Sequence, residues 1–539
     1  MAKTGQKAPR IRSGAKKHTG GASGVGYPRE SGGKNQRLSR RIFSAHVVGW
    51  ICVGIVACGF VLQRIGAHNV PPSNHRGNNV YLREGGYYYD EFVSPIALYV
   101  IKGRLPEKFD AWQAYHPPLF TLLGGGFVRA LEKSTSMDRR EAFLQLLWVP
   151  GLIYVLFGAA SYWFFRQALG GRAGGIHSVL FVLVFAILVF NPSVFIQSLD
   201  LGNDLLVNML ILLTISSCIW YWHTCRWDKF NARSIAIGAF LGLAAFTKHT
   251  GVGFAPVVVA FLGFVVVAWG LPRIFRRDVA QKPNGESEKS GPRPSRFRPV
   301  ALRCLEAGAA LLLAFLMVQG EYSSNYRKYG KLMPSYCDEQ VADFKTLAVA
   351  KQRARTWNYA FDPVLFVRYS YTPKYDKPLW EQPVYKNIPT SMPALFWDDL
   401  GFYSKEGASL YYYYPPKKTP PLVRVLPFLL ALALAAPFAW ATWKSFRHPE
   451  LACAASFLCI VFFIVAWYLR LLATCDPVGV KAKYIVCVVP LFLGLSLRGL
   501  ASVAEGNHAR NRIFARAAGA YLVVLLGSCI VYDFFFAFT

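Results

Sequence analysis

Charge is scarce in this 539-residue chain, at 17% of residues. An ordinary soluble domain carries about 25%. The deficit falls in long apolar runs, which excludes an ordinary soluble globule and points to a chain that crosses a membrane many times. Acidic charge is scarcer still, with 30 Asp and Glu against 60 Lys and Arg and a net charge of +30. In a soluble protein that balance suggests a nucleic-acid partner. Here the basic residues lie mostly in the N-terminal segment and in short connecting loops. The cytoplasmic excess of Lys and Arg in membrane proteins explains them better, and no nucleic acid is expected. Other things are missing too. The 11 cysteines contain no C-x-x-C pair and sit mostly inside apolar runs, which reads as buried structural thiols. There is no His/Cys spacing of a metal site, so no metal is expected. No internal repeat, cleavable leader or usable N-x-S/T acceptor is evident.

What is present is apolar: 53% hydrophobic and 15% aromatic residues. Runs able to span lie near 46–65, 145–165, 175–190, 204–222, 234–247, 251–270, 301–319, 423–443, 451–470, 482–498 and 516–536, where about 20 residues cross a bilayer. The run at 118–132, "PLFTLLGGGFVRALE", is short and holds a glycine triplet, so it reads as interfacial or re-entrant. Charge parity agrees. If that run does not span and the N-terminus is cytoplasmic, the basic loops near 166–174, 223–233, 271–303, 444–450 and 498–516 all fall inside. The expectation is an all-α polytopic membrane protein with about 11 spans and interfacial helices in its first outside loop. Residues 1–45 read as a disordered basic cytoplasmic tail, with a nucleic-acid or anionic-lipid arm as the alternative. Residues 46–319 form an N-terminal membrane module, with an outside loop at 66–143. A large outside loop occupies 320–422, and C-terminal spans fill 423–539.

Several polar groups then gather on the outside face. Asp90 and Glu91 follow three tyrosines and open an amphipathic stretch with Phe92, Ile96, Ala97, Tyr99 and Val100 at helical spacing. They are either functional or simply acids at a helix N-terminus. "AYHPPLF" (114–120) sets a rigid helix start after His116, itself either functional or an interface histidine. Asn203-Asp204 opens the fourth span, which capping explains by itself, and Asn208 continues the polar face one turn on. Thr247, Lys248 and His249 separate two apolar runs, where a lysine can simply snorkel. Lys481, Lys483 and Tyr484 lie at the outer end of the tenth run. Basic residues outside run against the general bias and suit an anionic lipid head group.

The order and sidedness of these segments resemble the membrane glycosyltransferases of the GT-C type that use polyprenyl-phosphate sugars. They look like the family-39-type group that includes protein O-mannosyltransferases and the lipid A aminoarabinose transferase. The resemblance runs from about Val47 to the tenth run and is densest in the first 250 residues. It implies that Asp90 is the catalytic aspartate with Glu91 its companion. Glu91 points away from Asp90 on one helix and is expected to pair with Arg104 or Arg139. The resemblance places the family's proline pair on Pro117-Pro118 behind His116, its second aspartate on Asp204 and its "TK" lysine on Lys248. The late "RY" appears as Lys483-Tyr484, and a lysine cannot grip phosphate bidentately as arginine does.

The implied reaction moves a sugar from a polyprenyl- or dolichyl-phosphate to an acceptor hydroxyl on the extracytoplasmic side. Asp90 is the general base. A phosphate leaves without a protonating acid, so one displacement and inversion are expected. Lys248 and Lys483, with His116, His249 and Lys481, hold the donor phosphate. Asp204, Asn203 and Tyr484 orient substrate. No cofactor beyond the donor is expected. In the 320–422 loop, Trp357, Trp380, Trp397 and Tyr411 to Tyr414 form either a lid over an acceptor or an interface belt. A bacterial inner membrane is favoured over the endoplasmic reticulum. The rival readings are a lipid-linked glycan ligase or polymerase, a secondary transporter, and a scaffold. A transporter normally shows repeated halves and midplane ionisable groups, which this chain lacks.

Overall fold

The computed structural model describes residues 45–69, 93–108, 110–169, 176–199, 201–226, 229–275, 298–334, 421–447, 451–474, 485–504 and 509–538. Among them the regular structure is entirely helical. The chain opens with α1 (Ala45–Asn69) and α2 (Val93–Lys102), then a 3₁₀ turn at Trp112–Tyr115 and α3 (Leu119–Ser134). Next, α4 (Arg139–Leu144) passes through a second 3₁₀ turn into α5 (Trp148–Ala168), followed by α6 (Ile176–Val189) and α7 (Pro192–Leu199). The central helices are α8 (Asp204–Thr224), α9 (Arg233–Thr247), α10 (His249–Phe275) and α11 (Arg298–Tyr329). The last group is α12 (Pro421–Leu432), α13 (Ala435–Arg447), α14 (Leu451–Thr474), α15 (Val488–Ala504) and α16 (Ala509–Phe538). The tail at 1–44 and the loop beyond residue 334, up to 420, lie outside the described residues.

Helices stand at all the runs expected to span. Seven of those described are long and apolar enough to cross a bilayer, or eight if the bent pair α6–α7 is one span. The expected count of about 11 exceeds this because Arg233–Thr247, Ala454–Ala466 and Val488–Ala504 are shorter. Trp50 and Val53 on α1, Leu156 on α5, Phe315 on α11 and Val524 on α16 all expose large apolar side chains. Water would penalise such a surface, whereas lipid does not. The chain is thus a multi-pass integral membrane protein.

α8 is the axis of the packing. It is buried along almost its whole length and is flanked by α5, α9 and α10, while α9 also lies along α11. α15 packs against α13, α14 and α6, and α16 against α1, α6 and α12. Between the third and fourth expected spans, Pro192–Leu199 forms the helix α7. Asn191 Oδ1 accepts from the Val194 N–H at 3.2 Å, and Pro192 stands in the first turn, where its missing N–H costs nothing. Gln63 on α1 donates to the Ser198 carbonyl at 2.7 Å and holds that helix in place.

The difficult run at 118–132 becomes α3, which starts after Pro118 as the proline pair requires. It is not among the helices able to span. Its glycines let it lie directly on α2. A Cβ on Gly125 would stand 2.3 Å from the Tyr99 ring, and one on Gly124 would stand 2.4 Å from Ile96 Cδ1. The apolar stripe expected after Asp90 is the face used, with Ile96, Ala97 and Val100 buried.

Several basic residues assigned to connecting loops stand in helices instead, most of them near helix ends, and Arg303 and Arg498 are buried. Arg303 lies inside α11, buried, and pairs with Glu306 at 2.6 Å. It also donates to the carbonyls of Arg226 and Lys229 at 3.0 and 2.9 Å, and the Tyr221 hydroxyl donates to Glu306. This network closes the end of the bundle formed by the α8 C-terminus and the start of α11. Arg498, also expected at the edge of a loop, lies inside α15 and is buried.

Candidate active site

The other end of the same helices gathers the polar segments singled out in the sequence. α8 begins there, with Asn203 at its cap and Asp204 in its first turn. Asn203 does not cap the helix with its side chain. Its amide donates to the Thr247 carbonyl at 3.0 Å, which ties the start of α8 to the end of α9. α9 stops at Thr247, and Lys248 is a single extended residue before α10 begins at His249. The reversal is tight, so a Cβ on Gly251 would stand 2.2 Å from the Ala244 backbone, which is why glycine stands two residues after His249.

That break directs Lys248 inward rather than out to a head group. Its ammonium forms an ion pair with Asp204 Oδ1, and the two residues are only 5% and 6% exposed. Snorkelling therefore does not describe Lys248, and capping alone does not describe Asp204. Burying two charges is costly unless they meet with further hydrogen bonds. Here the helix N-terminus adds a favourable field to the carboxylate. Asn208 completes the strip. It donates to the Asp204 carbonyl at 2.8 Å and accepts from the Cys487 N–H at 3.0 Å, which joins α8 to the turn preceding α15.

His116 and His249 come from distant parts of the chain and meet here. Their ring centroids are 5.8 Å apart, edge to face. Tyr115 packs on His116 at 4.2 Å, and Tyr322 lies 6.1 Å from His249. The Tyr322 hydroxyl donates to the Ala245 carbonyl at 3.1 Å. His116 is nearly buried, which corrects the reading of an interface histidine.

The structure thus joins five of the expected residues: Asn203, Asp204, Lys248, His249 and His116. Asp90, Glu91, Lys481, Lys483 and Tyr484 lie outside the described residues. Arg139, named as one partner for Glu91, donates to Glu132 at 2.6 Å. Among the described residues, no three His, Cys, Asp or Glu side chains could hold a metal ion together. Cys52, Cys218, Cys225, Cys459, Cys487 and Cys529 are buried free thiols, while Cys58 and Cys304 are exposed.

Sequence reasoning missed Lys108 and Glu321. Lys108 follows α2, is 8% exposed, and forms an ion pair with Glu321 near the end of α11. Burial pushes the Lys108 ammonium below the ordinary lysine range, and the Glu321 carboxylate offsets part of that shift. The signal was available. Lys108 is a basic residue in an outside loop, the same anomaly that drew attention to Lys481.

The fold and its apolar surface define an α-helical, multi-pass membrane protein. No family model and no curated protein matches the chain. Solved structures do align with it. One is the Archaeoglobus fulgidus oligosaccharyltransferase in complex with Zn and sulfate, at 13% identity and TM-score 0.46, covering 90% of this chain and 53% of that one. A second is the oligosaccharyltransferase AglB of the same organism with an inhibitory peptide and a dolichol-phosphate, at 12%, TM-score 0.41, 89% and 55%. A third is ArnT from Cupriavidus metallidurans bound to undecaprenyl phosphate, at 15%, TM-score 0.32, 85% and 79%. The chain spans about half the length of the archaeal structures it matches. At such TM-scores the functional reading rests on the residues themselves, not on the alignments.

Proposed function

We propose that this protein is a glycosyltransferase that moves a sugar from a polyprenyl-phosphate donor to an acceptor hydroxyl on the extracytoplasmic side of its membrane. One observation carries the reading. The segments at 114–120, 203–208 and 247–249, picked out by their order in the chain, converge on a buried Asp204–Lys248 pair beside the His116–His249 pair. A scaffold has no need of that convergence. Lys248 supplies positive charge and the two histidines supply ring N–H donors where the donor phosphate departs, and in a water-poor site such groups are worth far more than in bulk. Asp204 and Asn203 hold Lys248 and the adjoining backbone, so the cation is in place before the donor arrives. Asp90 takes the acceptor proton in a single inverting displacement, and Glu91 serves structure. Lys481, Lys483 and Tyr484 complete the phosphate and substrate contacts. The donor is a substrate, and no separate cofactor is invoked. The N-terminus is cytoplasmic, in a bacterial inner membrane.

The test is lipid mass spectrometry on cells lacking the protein, rescued with wild type, Lys248→Met or Asp90→Asn. The expected result is a polyprenyl-phosphate sugar that accumulates in the deletion, clears with wild type and persists with either variant. If no such lipid changes, or if both variants rescue at wild-type abundance, the transferase reading fails. A lipid-linked ligase or a transporter then takes its place.

A further inference from the structure

We propose that Lys108 and Glu321 are positioning residues that set His116 against His249 at the phosphate-binding site. The proposal rests on the donor-phosphate reading above. The Lys108 ammonium donates to the His116 backbone carbonyl at 3.1 Å while paired with Glu321 Oε1. The same carboxylate oxygen accepts from Asn325 Nδ2 at 3.3 Å. Two further contacts fasten this loop to α11: the Lys108 N–H donates to the Tyr329 hydroxyl at 3.4 Å, and Lys328 pairs with Glu107 at 3.3 Å. Glu321 and Tyr322 are consecutive on α11. The first reaches His116 through Lys108, and the second lies against the His249 ring. One turn of one helix therefore places both histidines.

A largely buried ion pair is a poor device for stability alone, since an apolar pair of similar size often does as well or better. What the ion pair supplies is direction. A carbonyl held by an ammonium fixes the backbone of His116, and with it the ring. Among the described residues, the charged and titratable groups that contact the histidine pair or its backbone include Lys108 with its partner Glu321, Tyr115, Tyr322 and, next to His249 in the chain, the Lys248–Asp204 pair. Two histidines held edge to face among these groups form an anion site that strengthens as they protonate.

The experiment uses the full chain in nanodiscs, with undecaprenyl phosphate as the probe, titrated between about pH 5.5 and 8.5 around the ordinary histidine pKa. In parallel, diethyl pyrocarbonate modification of each histidine is followed by peptide mass spectrometry without lipid. Lys108→Met should weaken binding roughly ten-fold, displace the pH profile and speed modification of His116. His177 and His223 should react as in wild type. Lys108→Arg should restore the profile. Glu321→Gln, a near-isosteric change, repeats the test should Lys108→Met not fold. A folded variant with wild-type profile and wild-type His116 reactivity overturns the proposal. Altered His116 reactivity in a protein that binds no undecaprenyl phosphate at any pH supports the positioning role and overturns the phosphate reading alone.

Discussion

Lys248 and Asp204 are each tolerable in the interior only because of the other. Removing one partner leaves an uncompensated buried charge, which costs about 3–5 kcal/mol. Asp204→Leu or Lys248→Met alone should therefore lower the thermal midpoint sharply. The double variant should recover much of that loss and still fail to clear donor lipid. Comparing midpoints with turnover separates the structural part of the pair from its chemistry. Lys108 gives a second test at this scale. Burial holds its folded-state pKa below the ordinary value of 10.5. Between those two values the unfolded chain binds more protons, so stability rises with pH across that window and levels off above it. Lys108→Arg stays charged throughout. Wild type should gain stability relative to that variant as pH climbs toward 10.5, read from unfolding midpoints along a pH series. A constant difference would show that Lys108 is not held off its ordinary value.

At the scale of elements, the α2–α3 pair shows how far a local pattern reaches. The stripe at Ile96, Ala97 and Val100, and the helix start set by the proline pair before Leu119, were both visible in the sequence. The role of the glycine triplet was not, because it depends on what α3 lies against. Arg129 adds a clamp, donating to the Tyr99 carbonyl at 2.8 Å and stacking over the Tyr99 ring at 4.4 Å. Gly125→Ala should displace that ring and cost about 1–3 kcal/mol, as overpacking does. Gly126 faces open space, with nothing within 4 Å of a Cβ. Gly126→Ala should be neutral or should stabilise the helix by up to about 1 kcal/mol. Unfolding midpoints of the two variants, measured side by side, test the register of α3. The helix α7 was not legible, because it depends on Gln63 from α1, which donates to the Ser198 carbonyl and holds it.

For the molecule as a whole, the two ends of the bundle carry different charge networks. The Arg303–Glu306 network ties α8, the segment before α9 and α11 at one end, and the lysine and histidine groups occupy the other. Arg303→Met should destabilise the protein by about 3–5 kcal/mol, because Glu306 remains buried without its cation. Turnover per folded molecule should stay near wild type. A fall in kcat without loss of folded protein would mean that the two ends are coupled. The sequence alone determined the membrane class, the helical runs and the five residues that assemble here. An apolar run long enough to span is a property of adjacent residues, and a motif order can be read along a line. The tertiary structure decided that Asp204 and Lys248 are partners, that His116 meets His249, and that Lys108 and Glu321 stand behind them. It also decided that Arg303 is a buried clamp rather than a loop charge. Those contacts join residues far apart in the chain, and they depend on which helix faces pack together, which no local spacing encodes.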